Sequence, residues 1–286
     1  MNMSKSKNVI EKRVRGALYG FAIGDAMGAT TEFMKKKEIQ RRYGKVDDIL
    51  GGGWLNLKPG QVTDDTQMTM CVIDALMKAK NESQFRTAVK AYFIDWYLSN
   101  PPDIGNQCRI SIECLMSGQA SRTWKGVSDG NGSLMRALPC ALLNNLAYNQ
   151  IQGDLTHPSE LCQQSIQMYH KMIIELVYRV ENIRRMLWTD VKHEPTGYVV
   201  DTLVNAVYWA SKDSLEECII GAVNDGGDAD TIAAIAGSMA GARWGVDAIP
   251  SGWIEKIDPE VTKKMDQFTD FILKKYNKGF EICCLF

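Results

Sequence analysis

The sequence predicts a single all-α domain. Three observations carry that expectation. Apolar residues recur at helical offsets almost throughout, alternating β-branched runs bounded by turn residues are nearly absent, and glycines fall every fourth residue in two apolar segments. In the first segment Ile10, Val14, Ala17, Leu18 and Phe21 define one buried stripe. Further apolar helical runs are Met68 to Leu76, Phe85 to Leu98, Leu161 to Val180, Thr202 to Trp209 and Ile232 to Ala242. A terminal helix is expected from Val261 to Tyr276. Most of the 8 prolines fall between these runs, as loops or helix starts. No polar linker and no solenoid-length repeat divides the chain. Residues 1–286 are therefore expected to form one domain, with a core over about 10–255.

Gly16, Gly20, Gly24 and Gly28 line one helix face, and Gly237, Gly241 and Gly245 line another. A glycine inside a helix costs roughly 1 kcal/mol against alanine, so its repeated use needs a reason. Close approach of two helix backbones is that reason. A membrane-spanning pair is excluded, because Asp25 and Arg243 interrupt segments too short to span. Two central, tightly packed helices in a bundle are expected.

The charge balance narrows function. With 33 basic and 34 acidic side chains, the net charge of −1 provides no long-range field for nucleic acid or anionic lipid. Lys35-Lys36-Lys37 and Arg41-Arg42 form one local basic patch. A composition of 45% hydrophobic and 23% charged residues excludes a disordered chain. The 8 cysteines form no Cys-x-x-Cys pair, and the N-terminus lacks the apolar core of a secretory signal. A cytoplasmic protein with no membrane partner is expected. Cys283-Cys284-Leu285-Phe286 formally satisfies a prenylation box, but Lys274 and Lys275 make a poor polybasic segment. With 3 histidines there is little room for histidine-built metal or catalytic sites, which leaves the carboxylates.

Acids cluster at the edges of apolar helices. Asp25 lies in Gly-Asp-Ala-Met-Gly, with Glu32 just past the helix end. Thr63-Asp64-Asp65-Thr66 precedes the run from Met68, Asp103 follows Pro101-Pro102, and Gly226-Gly227-Asp228-Ala229-Asp230-Thr231 precedes Ile232. Capping explains part of this, since helix starts favour hydroxyls and acids. Yet one helix start needs only one capping acid. Adjacent carboxylates about 5 Å apart repel by roughly 3 kcal/mol at an effective dielectric near 20. A cation offsets such repulsion, and hard oxygen ligands suit Mg²⁺ or Mn²⁺. Residue chemistry leaves both readings, cap and metal site, open. Gly51-Gly52-Gly53-Trp54 is open to reading as a mobile lid, and Asn131-Gly132-Ser133-Leu134-Met135-Arg136 as a phosphate loop or an ordinary turn.

Together these segments resemble the ADP-ribosylglycohydrolase family, in particular its dinitrogenase-reductase-activating branch. The stretches that carry the resemblance are Gly24-Asp25-Ala26-Met27-Gly28 with Glu32-Phe33, Gly60 to Thr66, Pro101 to Asn106, Gly130 to Arg136, Thr156-His157-Pro158 and Gly226 to Thr231. The resemblance implies a compact all-α hydrolase with a binuclear magnesium (or manganese) centre. The implied metal ligands are Thr63, Asp64, Asp65, Asp228, Asp230 and Thr231. Asp65, Glu32 and Asp103 are the implied catalytic carboxylates. Asp25, Glu32, Asp103, Asn106, Asn131, Gly132, Ser133 and His157 are expected to meet the substrate.

The implied reaction is hydrolysis of the bond joining ADP-ribose to a protein side chain, above all the N-glycosidic link to arginine. Its partners are an ADP-ribosylated protein and ADP-ribose, not nucleic acid, and it is expected to act as a monomer. Other ADP-ribose linkages (serine, O-acetyl) and a catalytically silent ADP-ribose binder are the alternatives. Met27 replaces the family's usual leucine, and Gln107-Cys108 stands where close relatives often carry threonines, at the expected pocket rim. Five carboxylates, Glu32, Asp64, Asp65, Asp228 and Asp230, are expected to converge from three segments. Two divalent cations would neutralise four of those charges.

Overall fold

The computed structural model describes residues 3–119, 129–179 and 189–277. Among them, thirteen α-helices follow in order. The first half holds α1 (Met3–Gly28), α2 (Lys36–Tyr43), α3 (Asp64–Lys78), α4 (Glu82–Leu98), α5 (Asn106–Met116), α6 (Leu138–Leu142) and α7 (Leu146–Asp154). The second holds α8 (Glu160–Tyr178), α9 (Val199–Ala210), α10 (Leu215–Val223), α11 (Ala229–Trp244), α12 (Ser251–Lys256) and α13 (Pro259–Asn277). Extended pairing among the described residues is limited to isolated bridges. The fold is all-α, and each apolar run read from the sequence lies on a helix. The expected end of the fourth run, Val180, and the tail Cys283 to Phe286 lie outside the described residues.

Side chains mark where helices start. Asn81, Ser159 and Ser214 each accept a hydrogen bond from a backbone N–H of the first turn of α4, α8 and α10. Thr63 does the same for α3. Helix α11 is buried on every side from Ala229 to Ala242, as its almost wholly apolar run from Ile232 to Ala242 requires. It lies antiparallel to α1, with α9 and α10 against it, while α13 packs on α1.

The glycine stripes meet as expected. A Cβ added at Gly20 would fall 2.3 Å from the Gly237 carbonyl oxygen, and one at Gly16 would fall 2.3 Å from that of Gly241. At Gly24 the neighbour is the Ala233 carbonyl oxygen, at 2.1 Å. No side chain fits between the two backbones. Gly245 ends α11 with φ at +81°, and the close approach reaches it too, since a Cβ at Gly16 would also fall 2.8 Å from the Gly245 carbonyl carbon.

The six described cysteines are free, and five of them are buried as small apolar residues. No described helix is long and apolar enough to cross a membrane.

Two outcomes follow. Gly20→Ala and Gly237→Ala each gain about 1 kcal/mol of helix propensity, yet lower the unfolding free energy by about 3 kcal/mol through overpacking. Urea melts read this, and an unchanged midpoint contradicts the backbone contact.

The second outcome concerns His170, which is 4% exposed and accepts a hydrogen bond at Nδ1 from Asn149 Nδ2 (3.1 Å). Burial pulls this ring down from 6.5 to about 4, so the folded protein holds it neutral. The stability so contributed is complete above pH 6.5 and is lost as pH falls toward 4. Replacing His170 with Gln removes that part of the acid slope. Wild type should lose ~3 kcal/mol more than the variant across this window, measured by urea melts at stepped pH.

Candidate functional site

The antiparallel pairing sets the end of α1 against the start of α11. A Cβ at Gly28 would lie 2.4 Å from the Asp230 Cα, so Asp25 and Glu32 come level with Asp228, Asp230 and Thr231. Helix α3 points its N-terminus at the same place. Its first two residues are Asp64 and Asp65, and Asp230 lies in the first turn of α11, where both helix dipoles favour negative charge.

The result is a cavity of about 270 Å³ lined by six carboxylates: Glu32, Asp64, Asp65, Asp103, Asp228 and Asp230. Its wall also holds Phe33, Asn106, Gln107, Cys108, Asn131, Gly132, Met135, His157 and Thr231, and no lysine or arginine is among the described lining residues. Asp103 therefore joins the five acids expected from the sequence. One carboxylate oxygen from each of Glu32, Asp103 and Asp230 lies within 4.8 Å of the other two.

Capping does not account for these acids. The side chain of Asp228 makes no cap bond to α11, although it stands at the N-cap position. It accepts instead from Asn131 Nδ2. At α3 the cap is Thr63, whose Oγ1 accepts from the Asp65 N–H at 3.3 Å. Asp65 Oδ2 accepts from the hydroxyls of Thr63 (3.4 Å) and Thr231 (3.3 Å). Asp65 Oδ1 and Asp230 Oδ1 are buried with no hydrogen-bond partner. Leaving such an oxygen unsatisfied is expensive. Six crowded acids, two of them with an unpaired buried oxygen, make a hard-oxygen donor set that fits divalent cations such as Mg²⁺ or Mn²⁺.

The electrostatics agree. Burial pushes Glu32 up to about 8, with the charges of Asp103, Asp228 and Asp64 adding to it and the Trp54 N–H opposing. Burial likewise holds Asp64, Asp65 and Asp230 well above the ordinary carboxylate range, each raised further by its acidic neighbours. Asp228 rises to about 6, again through burial. Without added positive charge the group favours protons.

Three expected site residues do not line the cavity. Asp25 is fully buried behind it and accepts from the backbone N–H groups of Thr63 (3.0 Å) and Thr66 (3.0 Å). It caps α3 from a different helix, so direct substrate contact is corrected to a structural role. Thr63 and Ser133 are also fully buried and absent from the wall. The Ser133 hydroxyl is one of the buried groups without a partner.

The phosphate-loop reading of residues 131–136 narrows as well. The N–H of Asn131 is bonded to the Gly197 carbonyl, and those of Leu134 and Met135 turn back to Asn131. Gly132 sits on the ring of His157, where a Cβ would be 2.6 Å from Cε1.

The glycine loop is fastened and does not form an open lid. Gly52 and Leu57 exchange both backbone hydrogen bonds (2.7 and 2.9 Å). A Cβ at Gly53 would meet the Ala29 carbonyl oxygen at 2.0 Å, and its φ of +68° suits glycine. Trp54 at its tip donates from Nε1 to Glu32 Oε2 at 2.6 Å.

Sequence reasoning missed that tie, and it missed Arg136. This fully buried guanidinium donates to the Gly132 carbonyl (2.5 Å), Gln152 Oε1 (2.7 Å) and Thr156 Oγ1 (2.6 Å), over the Phe93 ring. Thr156 Oγ1 lies 2.8 Å from His157 Nδ1, and burial plus Arg136 pull that ring down to about 3. Neutral His157 is thus a wall of the cavity braced from behind. A lone arginine inside an apolar run was the available signal.

Fold and site together define an all-helical enzyme domain built around one acidic cleft. The chain belongs to the ADP-ribosylglycohydrolase family, whose model matches residues 6–280. It is 36% identical to the ADP-ribosyl-[dinitrogen reductase] glycohydrolase of Rhodospirillum rubrum, over 92% of this chain and 96% of that one. The ADP-ribosylarginine hydrolase Tri1 of Serratia proteamaculans is 30% identical, over 86% of this chain and 75% of that protein. A solved structure described as an ADP-ribosylglycohydrolase-related protein complex superposes with a TM-score of 0.79 at 25% identity, covering 93% of this chain and 99% of that one. The protein is therefore a hydrolase of the glycosidase type.

Asp25 offers a direct test of the corrected role. Asp25→Ala strips two buried N–H groups of their acceptor and should cost about 3 kcal/mol. Denaturant melts should show that loss both with Mg²⁺ and with chelator. A loss seen only with Mg²⁺ would return Asp25 to the metal site.

Proposed function

We propose that this chain is a magnesium-dependent hydrolase that removes ADP-ribose from modified arginine side chains of proteins. The observation that carries the reading is the six-carboxylate cavity with unpaired oxygens on Asp65 and Asp230. The relatives named for dinitrogen-reductase and arginine substrates supply the substrate class. Asp64, Asp65, Asp228 and Asp230, with Thr231 at the wall and Thr63 hydrogen-bonded to Asp65 just behind it, would hold two divalent cations. Such cations supply Lewis-acid charge beside the ribose and make water a better nucleophile.

The remaining work falls to the chain itself. C–N cleavage at the ribose builds oxocarbenium character, which a dense carboxylate wall stabilises. Asp103 is half-buried, and burial raises its carboxyl above the ordinary range. It is suited to hand a proton to the departing guanidine nitrogen. Glu32, held at Oε2 by Trp54, and Asp65 are the carboxylates placed to orient or deprotonate the attacking water. Asn131 is tied to Asp228 and Thr202, and it presents a rigid polar edge to the ADP-ribose. The same reading takes the enzyme as a cytoplasmic monomer.

The test is release of ADP-ribose from arginine-, serine- and acetyl-linked substrates, with Mg²⁺ and with chelator. Arginine-linked release that needs the metal is expected. Asp65→Ala and Asp230→Ala should abolish turnover and the Mg²⁺-induced rise in Tm. In chelator both variants should melt at or above wild type, because each removes a buried carboxyl oxygen that has no hydrogen-bond partner. Full activity in excess chelator, or in the Asp64→Ala/Asp230→Ala double variant, would sink the metal-dependent mechanism. Binding of ADP-ribose without release from any linkage would mark a silent relative.

A further inference from the structure

Two exposed aromatic side chains, Phe33 on the cavity wall and Trp54 packed against it, present ring faces that the packing and chemistry described so far do not use. Phe33 is 67% exposed and Trp54 is 53% exposed. Their rings lie against each other, with centroids 5.4 Å apart and planes at 47°. Phe33 lines the cavity. Its φ of +60° is unusual for a bulky residue, and a hydrogen bond from its N–H to the Gly227 carbonyl (2.7 Å) fastens it there. The backbone is therefore strained to keep an apolar ring at the solvent edge. Residues held in this way cluster at ligand-binding positions.

The chemistry around the rings indicates what they meet. Glu32 precedes Phe33 in the chain, and Trp54 is hydrogen-bonded to it. The carboxylates of Asp103 and Asp230 converge on the same point within 4.8 Å. An aromatic face beside carboxylates attracts a flat cation, by its quadrupole and by the neighbouring negative charge. A phosphate is repelled there, and a hydroxyl gains nothing from the ring.

We propose that Phe33 and Trp54 form the leaving-group subsite, a wall on which the planar guanidinium of the modified arginine lies beside Asp103. This pair makes the enzyme prefer arginine-linked over serine-linked substrate. The preference rests on the hydrolase reading above; the affinity of the wall for a planar guanidinium does not.

Two measurements on the full chain test it. Phe33→Gly and Phe33→Asn remove the ring with residues that accept a positive φ. With Mg²⁺ present, both should lower the ratio of kcat/KM for arginine-linked over serine-linked ADP-ribose about ten-fold. An equal loss on both linkages, or an unchanged ratio, overturns the proposal. Separately, methylguanidine and AMP are titrated while indole emission is followed. Methylguanidine should give a saturable change in wild type that Trp54→Phe abolishes. A Trp54-dependent change with AMP and none with methylguanidine would make the wall an adenine platform and end the proposal. Should wild type release ADP-ribose from neither linkage, the hydrolase reading fails and the methylguanidine titration alone decides the subsite.

Discussion

The backbone contact between α1 and α11 is the constraint on which the rest of the structure depends. Gly20 and Gly237 bring the two helices so close that a methyl group on either would strike a carbonyl oxygen. The pairing is antiparallel, and the end of one helix is thereby placed against the start of the other. The same contact that closes the core at Gly20 sets Gly28 on the backbone of Asp230. Packing this tight transmits position with little slack. The spacing of Glu32 from Asp228 and Asp230 is thus decided by side chains the glycines lack.

Around this pair the chain tolerates an acidic cluster that would be costly elsewhere. The N-terminal ends of α3 and α11 offer dipole stabilisation, while Asp25 and Thr63 do the capping that the other acids would otherwise be taken to do. Arg136 stands behind the cavity wall, where its hydrogen bonds hold Gly132, Gln152 and Thr156 in place without entering the lining. Its charge supports the wall from behind, where it also interacts with Asp64, while no lysine or arginine is among the described residues on the cavity side. This division of labour keeps the cleft negative for the divalent cations of the proposed mechanism.

Much of this was legible in the chain. Helical periodicity placed every apolar run on a helix, and fourfold glycine spacing identified the two central helices. The acids of three segments were correctly expected to meet. The errors share one cause, which is that adjacency in sequence says nothing about which atoms a folded side chain can reach. Asp25 has the sequence neighbourhood of a site acid, yet its carboxylate turns to the backbone of α3. Ser133 sits in a polar turn but points into protein. Gly51 to Gly53 reads as flexible, though their positive φ angles serve a hydrogen-bonded turn.

The sequence by itself determined the helices, the glycine faces and the identity of the acids, because propensity, period and spacing are local properties. Only the tertiary structure decided that a carboxylate oxygen of Asp103 lies within 4.8 Å of those of Glu32 and Asp230, that Arg136 braces the wall and that Trp54 ties down Glu32. Those contacts join residues far apart in the chain. Burial, which raises each carboxylate's affinity for protons or cations, depends on everything packed around it and so exists only once the helices have met.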